Sequence, residues 1–281
     1  MSRARGGVAV VLLLLLSRPA AAQWAQGAPG RVWVKSALFV QTTDQRYGRT
    51  GQREPWFADG RSEAFALFTD IIVGVTRRLD LWFQIPYLDL QFTDASAVRR
   101  ESGFGDVRVW GRYELTKLAG GRLPLAIRAG IKTPSGSSPL EGEIIPLGEG
   151  QLDLEMFAEA GYSFWPAPFY SVLWLGYRAR FANDETKKDP GGEFVLLAEV
   201  GATPGNRFLA KATLDGFWGR GWIVERIEIP TRARRFLVLQ LGGGIRVAGP
   251  VWAEAGVRLP FSGRNMPAGT QWVVGASARV R

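Results

Sequence analysis

The ten residues Asp106-Val107-Arg108-Val109-Trp110-Gly111-Arg112-Tyr113-Glu114-Leu115 decide how the rest of the chain is read. Val107, Val109, Gly111, Tyr113 and Leu115 take alternate positions, with Asp106, Arg108, Trp110, Arg112 and Glu114 between them. Successive side chains of a strand point to opposite faces. The segment therefore predicts a strand with one greasy face and one strongly charged face.

The same scheme recurs downstream. Leu125, Ile127, Ala129 and Ile131 oppose Arg128 and Lys132; Leu152, Leu154, Met156, Ala158 and Ala160 oppose Asp153, Glu155 and Glu159. Leu173, Leu175, Tyr177, Ala179 and Phe181 oppose Arg178 and Arg180. Phe194, Leu196, Ala198 and Val200 oppose Glu193 and Glu199, and Val251, Ala253, Ala255 and Val257 oppose Glu254 and Arg258. A soluble sandwich also alternates, but here the charged face is dense and each run is about ten residues long, the length a tilted strand needs to cross a bilayer.

The connections point the same way. Strands are expected near 31–41, 63–75, 81–92, 105–117, 125–133, 151–162, 170–181, 193–203, 208–216, 234–247, 251–259 and 271–280. Short connections then alternate with long ones rich in Gly, Pro and charge, as the periplasmic turns and external loops of outer-membrane barrels do. The expected fold class is all-β, a closed antiparallel transmembrane β-barrel of about twelve strands, with both termini periplasmic. Aromatics clustered at Tyr162, Phe164, Trp165, Phe169 and Tyr170, with Trp252 and Trp272 at strand starts, are expected at the headgroup level.

The N-terminus predicts export. Arg3 and Arg5 precede the apolar run Val8–Leu16, and Ala20-Ala21-Ala22 supplies small residues for cleavage. That is the layout of a secretory signal peptide, and the run is too short to span a bilayer. Residues 1–22 are read as leader and 23–281 as the barrel domain. The leader carries three arginines and no acid, so the formal charge falls from +9 to +6 on cleavage. Export and the dispersal of the basic residues argue against a nucleic-acid partner.

The chain contains no His and no Cys. Ser-His and Cys-His nucleophiles are therefore excluded, together with the usual zinc sites. Asp153, Glu155 and Glu159 share a strand face and are the remaining acid–base candidates, but a structural role for them is the stronger reading. No catalytic residue, metal or cofactor is expected.

Several ordered motifs carry a family resemblance. They are Ser102-Gly103-Phe104-Gly105-Asp106-Val107, Arg112-Tyr113, Ile131-Lys132-Thr133-Pro134-Ser135-Gly136, Gly148-Glu149-Gly150-Gln151-Leu152-Asp153-Leu154, Leu175-Gly176-Tyr177-Arg178 and Asp189-Pro190-Gly191-Gly192-Glu193-Phe194. Together they resemble the outer-membrane transporter family known as "MetA-pathway of phenol degradation", best over residues 65 to 205. The resemblance implies an outer-membrane barrel that passes aromatic or hydrophobic compounds. The chain departs from the usual barrel pattern by closing on Ala278-Arg279-Val280-Arg281 rather than an aromatic residue, which implies a divergent assembly signal.

The charged faces supply the candidate pore-lining residues: Arg108, Arg112, Arg128, Lys132, Asp153, Glu155, Glu159, Arg178, Arg180 and Glu199. Sign alternates from strand to strand, so a salt-bridged ladder is the first reading and a solute-selecting wall the second. The two are compatible. The stretch from Leu81 to Phe92 departs from the scheme because both its faces are apolar. Either Pro86 makes a bulge and the register switches there, or Trp82, Leu88 and Leu90 form a greasy patch in the lumen. Loop arginines (Arg46, Arg49, Arg53 and Arg61; Arg220, Arg226, Arg232, Arg234 and Arg235) read equally as a solvated surface or as contacts to lipopolysaccharide phosphates.

The main expectation is a monomeric outer-membrane channel or transporter for small hydrophobic or aromatic solutes, in contact with outer-membrane lipid and lipopolysaccharide. A non-transporting structural barrel is the alternative. A soluble periplasmic ligand-binding β-protein is the third reading.

Overall fold

The computed structural model describes residues 29–138, 144–183, 188–224 and 227–280. The leader expected at 1–22, its cleavage site at Ala22 and Arg226 lie outside the described residues. Twelve long strands carry the fold: β1 (Val32–Thr43), β2 (Arg61–Gly74), β3 (Leu79–Thr93), β4 (Arg108–Leu118), β5 (Leu123–Lys132) and β6 (Asp153–Ser163), followed by β7 (Phe169–Arg180), β8 (Glu193–Ala202), β9 (Phe208–Gly219), β10 (Arg235–Ala248), β11 (Val251–Arg264) and β12 (Gln271–Arg279). Each pairs antiparallel with its neighbours in sequence. β12 returns to β1, with Trp33 opposite Arg279 and Gln41 opposite Gln271, and closes the barrel.

Closure leaves the twelve long strands without an edge, so the backbone groups of the wall are paired within the wall, as the bilayer interior demands. Apolar side chains cover the outside, among them Met156 (67% exposed), Leu175 (51%), Phe194 (64%) and Trp272 (65%). A continuous exposed apolar surface of this kind needs lipid to cover it. The five turns after β2, β4, β6, β8 and β10 lie at one end and are short, and the opposite end carries the longer loops. The loops after β1 and β11 build one small three-stranded sheet from Gln45–Tyr47, Arg53–Pro55 and Met266–Pro267, and the loops after β7 and β9 build another from Lys188–Asp189, Trp222–Val224 and Ile227–Ile229.

Two details differ from the expected strand pattern. The chain before β4 already forms a strand, Val98–Phe104, which pairs with the upper half of β3, whereas a loop is expected there. It is separated from β4 by Gly105–Val107. The register switch expected at Pro86 is absent from the β2–β3 pairing, which runs unbroken from Arg61–Thr93 to Gly74–Asp80. The break falls on the other neighbour instead. Pro86 accepts a hydrogen bond from Gly105 N at 3.0 Å on that side but has no N–H to return, and the partner strand is interrupted there.

Tyr170 and Trp252 also depart from the expected aromatic belt. Tyr170 is 5% exposed and donates to Glu199 at 2.8 Å inside the barrel. Trp252 lies on the same face of β11 as Glu254, and Arg246 stacks on it at 5.2 Å. Phe164, Phe169 and Trp272 do face outward.

Two inward aromatics lie flat against the wall because glycines sit opposite them. Trp110 of β4 faces Gly130 of β5, and Phe157 of β6 faces Gly176 of β7. A Cβ on either glycine would collide with the neighbouring ring. Gly176→Val should therefore push Phe157 into the lumen and cost about 1–3 kcal/mol through overpacking. The urea midpoint of the folded band on a gel would read it, and a midpoint equal to wild type would show that the ring has room to move.

Candidate functional site: the lumen

Strand parity aims all ten candidate charges into the barrel, and the structure shows what each meets. Near the short-turn end, Arg112 donates to Glu159 at 2.6 Å and reaches Asp80 at 3.4 Å, and Arg128 pairs with the other oxygen of Glu159 at 2.8 Å. Above this, Glu155 accepts from Trp110 Nε1 and from Arg178, each at 2.7 Å, with Arg108 at 3.6 Å. Arg108 also donates to Gln84 at 3.2 Å.

A third group sits at the loop end. Lys132 is fully buried among Asp106 at 3.0 Å, Glu149 at 2.7 Å and Asp153 at 3.2 Å. Arg180 joins Glu149 to Glu193, at 2.7 and 3.0 Å, and Arg234 joins the same two carboxylates, at 2.8 and 3.0 Å. Across the three groups seven cations meet seven carboxylates, so this side of the lumen is polar without a net charge. Asp153, Glu155 and Glu159, the acid–base candidates, are all engaged in these ion pairs.

Glu149 and Asp106 also hold down a loop. Asp106 accepts from the backbone N–H groups of Gly136, at 3.0 Å, and Glu149, at 2.9 Å. The described flanks of the segment after β5, up to Ser138 and from Ile144, are thereby folded back over the lumen, and Leu147 is buried beside Gly103 and Gly105. Burial alone would raise the Glu149 carboxyl, but Arg234, Arg180 and Lys132 outweigh it and hold it well below the usual carboxylate range. On the other side of the same mouth, Tyr47, Phe236, Val238 and Ala268 pack into a buried cluster with Phe217 and Met266. Tyr47 donates its hydroxyl to Pro260 O at 3.0 Å.

The middle of the barrel is aromatic. The Arg128 guanidinium carbon lies 4.1 Å from the Trp174 ring, 4.7 Å from Trp82 and Phe157, and 5.4 Å from Trp110. Trp82 is 5.4 Å from Trp110 and 5.9 Å from Trp174. Contacts of this kind contribute about 0.5–1 kcal/mol each at exposed sites and about 2 kcal/mol when desolvated.

Beside this cluster opens a cavity of about 380 Å³, reaching across to β1, β2 and β9–β12. Its apolar walls include Trp33, Phe39, Phe68, Trp82 and Trp174. Its charged wall includes Lys35 and Lys211, which share Glu254 at 3.4 and 2.9 Å, and Arg258 paired with Asp215. The three residues of the expected greasy patch are thus divided. Trp82 lines the cavity, while Leu88 lies beyond Pro86, next to Gly105 and below the folded-back loop, and Leu90 is higher still on β3, opposite Ala64.

Glu149, Trp110, Phe157, Trp174 and Asp70 take central places without having been singled out from sequence, and Arg234 takes one that neither of its two expected roles foresaw. Glu149 and Arg234 fall in long loops, where charge reads as solvated. Trp110, Trp174 and Phe157 had a usable signal, since each shares parity with an inward charge on its own strand. The loop arginines behave variously. Arg234 enters the lumen, Arg53 donates to Pro260 O at 2.6 Å, and Arg46 and Arg220 pair with Glu54 and Glu228.

Twelve strands closed on themselves, apolar outside and charged within, define an outer-membrane β-barrel. Among solved structures the chain is similar to the COG4313 outer membrane channel from Pseudomonas putida F1. The two share 14% identity with a TM-score of 0.75, over 89% of this chain and 96% of that one. It is also similar to the translocator domain of autotransporter NalP from Neisseria meningitidis, at 12% identity and a TM-score of 0.50, over 90% of each chain. These likenesses are likenesses of fold. No family model and no curated protein matches the chain.

Proposed function

We propose that this outer-membrane barrel is a channel for small hydrophobic or aromatic solutes. The aromatic-walled cavity of about 380 Å³ inside the lumen carries this reading. Its size lies in the range of small-molecule sites, and its wall combines apolar area with a few fixed polar groups, as such sites do. The fold likeness to an outer membrane channel supports it. The ion-paired half of the lumen then acts as a rigid, neutral buttress that leaves the passage to the aromatic half.

A second reading has its own support. Seven buried ion pairs' worth of side chains and two covered sectors of the loop-side mouth would also suit a barrel that only stiffens the envelope. Deleting the gene and following uptake of radiolabelled toluene or phenol by intact cells separates the two. Transport predicts that uptake at low external concentration falls severalfold and returns with the gene. Unchanged uptake together with a leaky or blebbing envelope would leave the structural role standing and remove the channel.

A further inference from the structure

The cavity's charged wall is unbalanced. Lys35, Lys211 and Arg258 face Asp70, Glu199, Asp215 and Glu254, three cations against four carboxylates. Glu254 takes both lysines and Asp215 takes Arg258. Among the described residues, no Lys or Arg lies within ion-pair distance of Asp70 or Glu199. Lys35 stands directly across from Asp70 in the β1–β2 register but pairs with Glu254.

Neutral donors hold these two carboxylates in place, and the nearest cations, Lys35 and Arg128 toward Asp70 and Lys211 toward Glu199, act on them only from beyond ion-pair distance. Asp70 Oδ1 accepts from Trp82 Nε1 at 3.0 Å and from Gln84 Nε2 at 2.9 Å. Glu199 accepts from Tyr170 OH and Thr213 Oγ1, each at 2.8 Å. A carboxylate removed from water without a counter-charge is costly, whereas seven cations match seven carboxylates on the other side of the same lumen. The aromatic side of the cavity suits the apolar body of a ligand: Trp82 and Trp174 line it, and the Arg128 guanidinium, at 4.7 and 4.1 Å, already takes the cation-binding role of these rings.

We propose that the cavity binds an amphipathic monocation, an amine with an aromatic or other apolar body. The ammonium is placed toward Asp70 and Glu199 and the body against Trp82 and Trp174. This rests on the reading of the protein as a channel for hydrophobic solutes and narrows it. A monocation brings the wall to neutrality, a neutral solute leaves one negative charge in excess, and a carboxylate makes it two.

The test is a tryptophan-fluorescence titration of the refolded full chain in a non-ionic detergent at pH 7. The probes are 2-phenylethylamine, 2-phenylethanol and 3-phenylpropionate, which share a phenyl body and differ in charge. The amine should bind about tenfold tighter than the alcohol, with the carboxylate weakest. Asp70→Asn and Glu199→Gln keep the shapes and should each bring the amine toward the alcohol, with heat-modifiable migration on a gel confirming an intact barrel. Equal binding of amine and alcohol would overturn the charge preference and leave the hydrophobic channel standing. An amine preference that survives in both variants would overturn the assignment to these two carboxylates. Binding of none of the three would overturn the cavity as a solute site, and the channel reading with it.

Discussion

Arg128→Ala should convert a constricted lumen into a freely conducting one. The Arg128 side chain is 3% exposed and occupies the middle of the barrel, with four aromatic rings around its guanidinium and Glu159 beneath it. Alanine removes everything beyond Cβ and leaves Glu159 still bonded to Arg112 at 2.6 Å, so the barrel keeps its main anchor at that level. Breaking one buried ion pair from one side costs about 3–5 kcal/mol, and the lost ring contacts add to that. The aromatic walls retain their wall-side support, since Trp110 and Phe157 lie over glycines of the next strand. Single-channel conductance in a planar bilayer should rise on the order of twofold or more, because the narrowest polar constriction sets the flux. Arg128→Lys is the informative companion. It keeps the charge for Glu159 but not the planar group that stacks between rings, so its conductance should fall between the other two. A folded Arg128→Ala barrel that conducts like wild type would mean that the constriction lies elsewhere, at the mouth covered by Tyr47 or by the Glu149 loop.

The limits of reading this lumen from sequence have a physical form. Period-two alternation tells in from out, and it does so for every strand where charge and apolar residues take turns. That is why the twelve strands and the alternation of short and long connections were visible, and why Arg112, Arg128, Glu155, Glu159, Arg178 and Arg180 fall on one face of the wall. Alternation carries no information about height along the barrel axis or about which inward residues meet. Glu159 collects Arg112 from β4 and Arg128 from β5 because of the stagger between strands, which no single strand encodes.

Tyr170 shows a different failure, one of choosing the wrong cue. Its clustering with Phe164, Trp165 and Phe169 suggested the headgroup belt, yet it shares parity with Arg178 and Arg180 and so had to face the lumen. Parity prevails because it is set by the backbone, while clustering around a turn only records which residues tolerate an interface. The loops fail for a third reason. Glu149 and Arg234 are 85 positions apart and meet only because two loops fold inward over the same mouth. Charge in a long, Gly-rich connection gives no warning of that.

A single substitution at the mouth formed by those loops should also be strongly destabilising. Lys132→Met removes the one cation placed among Asp106, Glu149 and Asp153 and leaves a buried methyl thioether in its place. Asp106 keeps its two backbone donors, and Glu149 keeps Arg180 and Arg234. Asp153 is left with Gln151 at 3.3 Å and Arg180 at 3.9 Å, too little to offset its removal from water. Breaking a buried charge group from one side costs about 3–5 kcal/mol, which should appear as a lowered urea midpoint for the barrel refolded into lipid vesicles. Lys132→Met combined with Asp153→Asn should recover much of that loss, since the pair is coupled and both charges then leave together. The pH dependence has a definite sign. The Glu149 carboxyl lies well below its unfolded value, so its contribution is complete above the ordinary carboxylate range and disappears as pH falls through the depressed value. Without Lys132 that depression is smaller, so the loop over the lumen should become accessible to protease at a higher pH than in wild type. The same acid also removes the carboxylate charge that the lysine would have matched, so the stability gap between Lys132→Met and wild type should narrow on acidification. A gap that is constant from neutral to acid pH would show that Lys132 acts by filling space, and that the charges around it are balanced by other means.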